Sequence, residues 1–119
     1  MASPILLITS DLATVSSVAG ATARVGCELY TALGVAAIDE KLATAAPALV
    51  ILDLSTRDAN PAELVPALRA KLPQNAQILA FGSHVHTALL AAAREAGCDR
   101  VVSRGEFHAR MDDHLRQST

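Results

Sequence analysis

The sequence predicts an α/β fold: a doubly wound sheet of five parallel strands in the order 2-1-3-4-5, covered on both faces by five helices. Three observations support this prediction. Five short apolar segments alternate along the chain with five segments of helical periodicity. Most of the apolar segments are continuous rather than alternating, as in strands that are buried on both faces. The connections are short, so each crossover is expected to be right-handed and to lay a helix on the sheet, as in flavodoxin-like proteins.

The first four elements are predicted from their apolar patterns and end signals. The first strand is a continuous apolar run, and Ser10 or Thr9 is the expected N-cap of the first helix, whose inner face starts at Leu12. The second strand alternates polar and apolar residues, which predicts a position at the edge of the sheet. Pro47 ends the second helix, because proline cannot continue one. In order, we predict a strand at 4–8, a helix at 11–24, a strand at 27–31 and a helix at 36–46.

The remaining six elements have similar signals. The third strand is a run of apolar residues, and Asn60 with Pro61 gives the third helix an N-cap and a proline at its first position. Gly97 is the expected residue after the fourth helix. The last helix carries Phe107 and Met111 four residues apart on one stripe. In order, we predict a strand at 48–53, a helix at 61–71, a strand at 77–81, a helix at 85–96, a strand at 100–103 and a helix at 106–116.

Composition limits the class of protein. The 119 residues predict a single domain spanning 1–119, and the net charge of -2 offers no long-range attraction to nucleic acid or to a membrane. Aromatic residues make up 3% of the chain, which leaves few rings to stack on bases. Cys27 and Cys98 lack the spacing of a metal site or a disulfide framework, so we expect two small, buried or half-buried thiols in a reducing compartment. With no signal peptide and no membrane-spanning run, we predict a cytoplasmic protein.

Asp53 ends the central strand, and the five residues before it, 48–52, are all apolar. An unpaired charge inside a buried ladder is too costly, so Asp53 is expected at the carboxyl end of the strand, where the backbone meets solvent. In an open α/β sheet, ligands bind at this edge, where the strand order reverses. The residues expected around Asp53 follow the neighbouring strands: Thr9, Ser10, Asp11, Gly82, Ser83 and Arg104.

Over essentially its whole length the chain resembles the receiver domains of bacterial two-component response regulators. The resemblance is carried by the buried strand ending in Asp53, by residues 96–99 leading into the fifth strand, and by the basic Arg104 after that strand. It implies that Asp53 stands where the family's aspartate accepts a phosphoryl group from a histidine kinase. It also implies two acids that hold Mg²⁺ after the first strand, a Thr or Ser after the fourth, and a Lys-Pro pair after the fifth.

Several positions depart from this family pattern: Thr9 and Ser10 replace the acid pair, Gly82 replaces the hydroxyl residue, Arg104 and Gly105 replace the Lys-Pro pair, and Val101 replaces a switch aromatic. Mg²⁺ is left with Asp11 and Asp53 as carboxylate ligands, and it normally neutralises the transferring phosphoryl group. We therefore expect no cofactor and a degenerate, pseudoreceiver-like domain. The planar guanidinium of Arg104 suits a carboxylate, so we expect it to pair with Asp53.

Two functional hypotheses follow from the resemblance. The first is a stand-alone receiver-like module that acts by contact with other signalling proteins, independently of phosphorylation. The second is a working single-domain regulator, phosphorylated on Asp53 by a histidine kinase with Mg²⁺ held partly by Asp11. The expected partners are a histidine kinase, a DNA-binding regulator or a second copy of the chain, with no direct contact to nucleic acid or membrane.

A third hypothesis is an enzyme that acts on a small ligand through Asp53 and His84. It requires these two side chains to converge in a pocket, and we predict instead that the protein is not an enzyme. His84 and His86 lie two residues apart at a helix start, so they point in different directions and are expected to be exposed. His108 and His114 are expected on the surface of the last helix.

The fourth helix, fifth strand and fifth helix form the surface that receivers commonly use for partners. Small residues with a charged border suit a modest, complementary contact such as a homodimer, and an ordinary solvated face is the alternative. The residues expected on this surface are Leu89, Arg94, Asp99, Arg100, Val101 and Arg110.

Overall fold

In the computed structural model, which describes residues 3–118, five strands alternate with α-helices. The elements are β1 (Pro4–Ile8), α1 (Leu12–Val25), β2 (Glu28–Ala32), a 3₁₀ turn (Val35–Ala37), α2 (Ile38–Leu42), β3 (Leu49–Asp53), α3 (Pro61–Lys71), β4 (Gln77–Gly82), α4 (Thr87–Glu95), β5 (Arg100–Ser103), α5 (Arg104–Ala109) and α6 (Met111–Ser118). The strands are parallel and lie in the order β2-β1-β3-β4-β5, which confirms the predicted sheet. None of the helices within residues 3–118 is long and apolar enough to cross a membrane.

The alternation of side chains along β3 divides the core into two layers. Val50 and Leu52 pack with side chains of α2, α3 and α4 on one face of the sheet. Leu49 and Ile51 pack with α1, α5 and α6 on the other face. Because side chains alternate along a strand, the residue after Leu52 returns to the α1 and α5 side. Asp53 therefore ends β3 on the face that α1, α5 and α6 cover.

The first helix begins one residue later than expected and has a different cap. The side chain of Asp11, not that of Ser10 or Thr9, accepts a hydrogen bond from the backbone N–H of Ala13 at 3.1 Å. A carboxylate at this position satisfies one of the free N–H groups of the first turn. The predicted inner face was wrong at Leu12, whose side chain is 69% exposed.

Helices α2 and α4 are shorter than predicted. α2 ends at Leu42, well before Pro47, whose restriction reaches only the residue directly in front of it. The side chain of Thr44 bonds to the carbonyl of Lys41 at 3.0 Å, which offers the chain a local alternative to the helix. Before α4, the N–H of His86 bonds to the carbonyl of Ser83 at 3.0 Å, so this turn delays the start of the helix by two residues.

The last predicted helix is two helices. It begins earlier than expected because the Ser103 side chain accepts a hydrogen bond from the N–H of Glu106 at 3.1 Å and caps α5. Arg110 then leaves the helical conformation, with φ -124° and ψ 32°, and α6 starts at the next residue. The expected surface position of His114 on this segment was wrong, because its side chain is 8% exposed.

Arg69 on α3 joins two connections at the amino ends of β4 and β5. Its guanidinium donates to the carbonyl oxygens of Ala76 at 2.8 Å and Gly97 at 2.9 Å, and to the carboxylate of Asp99 at 2.7 Å. The same Asp99 oxygen accepts the N–H of Ile78 at 2.7 Å. Gly97 has φ 106°, a left-handed value that glycine adopts at low cost, as its predicted place after α4 requires.

Candidate functional site

Asp53 is buried, and its exposed fraction is 1%. It ends β3, but its side chain is shielded from solvent, because other side chains supply the hydrogen bonds that water would make. Its Oδ2 accepts from the hydroxyl of Thr9 at 2.7 Å. Its Oδ1 accepts from the N–H and the hydroxyl of Ser55 at 3.0 and 2.7 Å, and from Nη2 of Arg104 at 2.9 Å. A buried carboxylate is tolerated when it is paired with a cation and hydrogen-bonded in this way.

Arg104 makes the ion pair with Asp53 that the sequence predicted. The same Nη2 also donates to the hydroxyl of Ser55 at 3.0 Å. The guanidinium carbon lies 4.9 Å from the centre of the Phe81 ring, within the range of a cation–π contact. Phe81 in turn stacks on Phe107 of α5 with ring centres 4.3 Å apart. Arg104 is thus held by Asp53 on one side and by an aromatic pair on the other.

Ser55 is a site residue that the sequence analysis missed. Its N–H bonds to the carboxylate two residues before it, which is the turn that aspartate commonly makes with the following backbone. A hydroxyl residue two positions after an aspartate at a strand end was the available signal. Ser55 places two donors, its N–H and its hydroxyl, on Oδ1 of Asp53, the oxygen that Arg104 also contacts.

Asp11 is used at the start of α1. One carboxylate oxygen accepts from the N–H of Ala13 at 3.1 Å and the other from the hydroxyl of Thr14 at 2.8 Å. The hydrogen bond from Thr14, followed by that from Ala13, holds the pKa of Asp11 below its ordinary value. Ser10 beside it is exposed. Asp11 therefore stabilises the helix end, and the hydrogen bonds of Asp53 come from other residues.

The residues at this edge do not fit the Mg²⁺ ion that the resemblance to receiver domains implies. Mg²⁺ favours octahedral oxygen ligands and is usually held by one or two carboxylates. Here both oxygens of Asp53 accept hydrogen bonds, and the positive charge beside it belongs to Arg104. Asp11 is engaged in its cap. Within residues 3–118, no group of three or more His, Cys, Asp or Glu side chains is arranged to hold a metal ion.

Gly82 and Ser83 at the end of β4 have structural contacts. A Cβ atom at position 82 would lie 3.3 Å from Cβ of Leu54 and 3.5 Å from Cδ2 of Leu90, so a side chain there would force Leu54 to shift. This close approach is a physical reason for glycine where receivers carry a hydroxyl residue. The Ser83 hydroxyl accepts from the N–H of Val85 at 3.4 Å in the turn before α4.

The two histidines near this edge are exposed, as predicted. His86 occupies the N-cap position of α4, but its side chain makes no capping hydrogen bond. His84 lies exposed in the preceding turn, whereas Asp53 is buried beneath Thr9, Ser55 and Arg104. Within residues 3–118, the hydrogen bonds of Asp53 come from Thr9, Ser55 and Arg104, and none joins it to His84.

The predicted interaction surface is only partly free. Arg100 donates to the carbonyl of His114 at 3.1 Å and to the side chain of Gln117 at 2.9 Å, so it ties β5 to α6. Asp99 is bound by Arg69. Arg110 lies at the break between α5 and α6, beside α1. The remaining positions of the surface are the half-buried Leu89 and Val101 and the exposed Arg94.

The comparisons with known proteins identify the fold. No protein-family profile matches the sequence, and no curated protein matches it. Solved structures do match. A response-regulator receiver domain from Bermanella marisrubri has a TM-score of 0.83 and 23% identity, covering 99% of this chain and 98% of that one. A chemotaxis response regulator of Vibrio cholerae has a TM-score of 0.84 and 15% identity, with full coverage of both chains at 100%.

A third solved structure with this fold contains a metal ion. It is the receiver domain of a sensor histidine kinase from Pseudomonas aeruginosa, with a magnesium ion in its active-site cleft. Its TM-score is 0.81 at 11% identity, covering 99% of this chain and 98% of that one. The chain therefore has the receiver fold, which confirms the resemblance at the level of structure.

Proposed function

We propose that this chain, a domain with the receiver fold, is a signalling module that acts by protein contact and does not depend on aspartyl phosphorylation. The observation that carries the proposal is the state of Asp53. Both of its oxygens accept hydrogen bonds, and Arg104 supplies a fixed positive charge 2.9 Å away. A nucleophilic oxygen must leave such contacts before it can attack a phosphoryl group, and the charge of that group needs neutralisation in line with the attack.

The ion pair suggests how the domain keeps one conformation. Arg104 begins α5 and contacts both Asp53 and Phe81, while Phe81 stacks on Phe107 of the same helix. These contacts fix the start of α5 relative to β3 and β4. In the proposed function they hold the neighbouring surface of α4 and β5 in a permanent binding-competent shape. The partner would be another signalling protein, which meets Leu89, Val101 and the charged Arg94.

The test is phosphorylation with a small phosphodonor. The full chain is incubated with acetyl phosphate and Mg²⁺, and its intact mass is measured against an Asp53→Ala control. We expect no stoichiometric gain of a phosphoryl group. A Ser10→Asp/Arg104→Lys variant restores an acid and a compact ammonium at this edge, and we expect it to gain labelling because the missing charges are supplied. Stoichiometric labelling of the unmodified chain that disappears in Asp53→Ala would overturn the proposal.

The same measurement decides the second candidate function, a regulator phosphorylated on Asp53. What favours it is the position of Asp53 at the carboxyl end of the central strand, next to a cation. In that function a phosphoryl oxygen would replace the Asp53 carboxylate as the partner of Arg104. Stable labelling that also shifts the amide resonances of residues 104–107 would establish this alternative.

A further inference from the structure

A cleft lies between α1 and the junction of α5 and α6. Its volume is about 530 Å³, within the range of small-molecule sites. One wall is formed by Ser16, Ser17, Gly20 and Arg24 of α1, and the other by residues 108–113. The break at Arg110 separates the two last helices and lies in the second wall. The lining is mostly polar, which distinguishes this cleft from an incompletely packed part of the core.

Arg24 is held in place at this cleft by its partner. Its Nε and Nη2 donate to the two carboxylate oxygens of Asp112 at 3.1 and 2.9 Å. Within residues 3–118, these bonds leave Nη1 available. Nη1 lies 3.4 Å from the place that a Cβ of residue 20 would occupy, so the guanidinium extends over Gly20 along α1. A fixed guanidinium with a free edge binds an anion at a lower entropic cost than a mobile one.

We propose that the cleft binds a small hydroxylated phosphate monoester, of the sugar phosphate class. The phosphate would lie between Nη1 of Arg24 and the side chain of Arg110, since guanidinium groups match phosphate oxygens in geometry and charge. The hydroxyls of Ser16 and Ser17 would bind the hydroxyl groups of the ligand. His108 is the only ring among the described lining residues, so the lining favours the hydroxyl groups of a sugar over a nucleotide base, which stacks on aromatic side chains.

The charges around the cleft are compatible with an anion. The carboxylate of Asp112 is paired with Arg24, and that of Asp113 lies 3.7 Å from Arg116. In the described part of the chain, no carboxylate lies within ion-pair distance of Arg110, which is exposed. Its charge therefore remains available to the ligand. The proposed site lies apart from Asp53, so it does not depend on the function proposed above.

The test is a titration of the full, isotopically labelled chain followed by amide NMR, with a chelator present to exclude divalent ions. Glucose 6-phosphate, inorganic phosphate and glucose are the three probes. We expect saturable shifts for glucose 6-phosphate at residues 16–24 and 108–113, weaker binding of inorganic phosphate, and none of glucose. Arg24→Met is expected to weaken binding about tenfold, equivalent to the loss of one good ionic contact. Arg57→Met removes the same charge from an exposed arginine outside the cleft and should leave binding unchanged.

A second variant blocks the cleft without removing a charge, so that a loss of binding can be separated from a loss of folding. Gly20→Gln fills the cleft while keeping every charge, and it replaces glycine with a better helix former. We expect it to fold and to lose the binding of glucose 6-phosphate. Unchanged binding in Gly20→Gln would overturn the proposal. So would the absence of saturable shifts, shifts centred on Asp53 and Arg104, or glucose 6-phosphate binding no tighter than glucose or inorganic phosphate.

Discussion

Replacing Arg104 with alanine should destabilise the fold by about 2–3 kcal/mol. The estimate lies between two limits. Exposed ion pairs contribute roughly 0–1 kcal/mol, and removing one partner of a buried pair costs about 3–5 kcal/mol. Asp53 is 1% exposed and Arg104 33%, so the loss leaves a buried carboxylate without its cation. The hydrogen bonds from Thr9 and Ser55 remain and reduce the cost.

The assay is urea unfolding, supported by thermal unfolding. An unfolding entropy of about 2.1 cal/mol/K per residue converts this free energy into a fall in melting temperature of about 8–12 °C. A double-mutant cycle with Asp53→Asn isolates the pair, because asparagine keeps the shape and removes the charge. We expect a coupling of about 1–2 kcal/mol between Asp53 and Arg104, since the carboxylate is desolvated.

The exposed pair of Arg24 and Asp112 is the matched control for this cycle. The side chains are 60% and 33% exposed, so we expect a coupling of roughly 0.2–1 kcal/mol in the cycle of Arg24→Ala with Asp112→Asn. Effects of Arg104→Ala and Asp53→Asn that add within about 0.3 kcal/mol would refute the reasoning. They would show that Thr9 and Ser55 alone keep the carboxylate stable.

Three further predictions concern titratable groups. Burial raises the pKa of Cys98 to about 11, so at pH 8 its alkylation by iodoacetamide should be about a hundredfold slower than that of an ordinary thiol. Mass spectrometry of a variant that lacks Cys27 measures the rate, and labelling at the rate of an ordinary thiol would contradict the prediction. Burial alone would raise the pKa of Asp99, but Arg69 and the backbone N–H of residue 78 lower it overall, so its carboxylate stabilises the fold above about pH 4 and loses this effect as the pH falls through its folded-state pKa. Asp99→Asn should cost about 1 kcal/mol at pH 7 in urea unfolding, and a difference that persists unchanged at pH 3 would argue against the assignment. Burial and then Arg100 lower the pKa of His114, so the unfolded chain binds more protons and the free energy of unfolding should fall as the pH drops below about 6.5. His114→Gln should reduce this dependence of stability on pH. An equal dependence in both proteins would rule the assignment out.

The sheet could be predicted because its signals are local and repeated. Each strand is indicated by a continuous apolar run or, at the edge, by alternation, and the glycine after α4 marks the end of that helix. Short crossovers then restrict the order of the strands. The pairing of Asp53 with Arg104 followed from the same logic, since adjacent strand ends meet at one edge. The topology places these two opposite charges at the same edge, so their pairing could be predicted without side-chain coordinates.

The parts that could not be predicted depend on side-chain geometry. Spacing alone does not show whether Asp11 faces a metal or caps its own helix. The burial of Asp53 depends on donors from Thr9 and Ser55, and Ser55 has no apolar pattern that marks it. The break at Arg110 is invisible for a different reason: the N–H groups of Arg110 and His114 both bond to carbonyls four residues earlier, so the apolar stripe runs on through it.

Arg69 has a consequence for how this domain opens locally. It holds the carbonyls of Ala76 and Gly97, which belong to connections 21 residues apart in the sequence, together with the carboxylate of Asp99. Neither connection can swing away from the sheet while the guanidinium bonds to both. Backbone amides on the two sides of this contact, which the hydrogen bonds between Ile78 and Asp99 also join, should therefore exchange with solvent deuterium in one cooperative event.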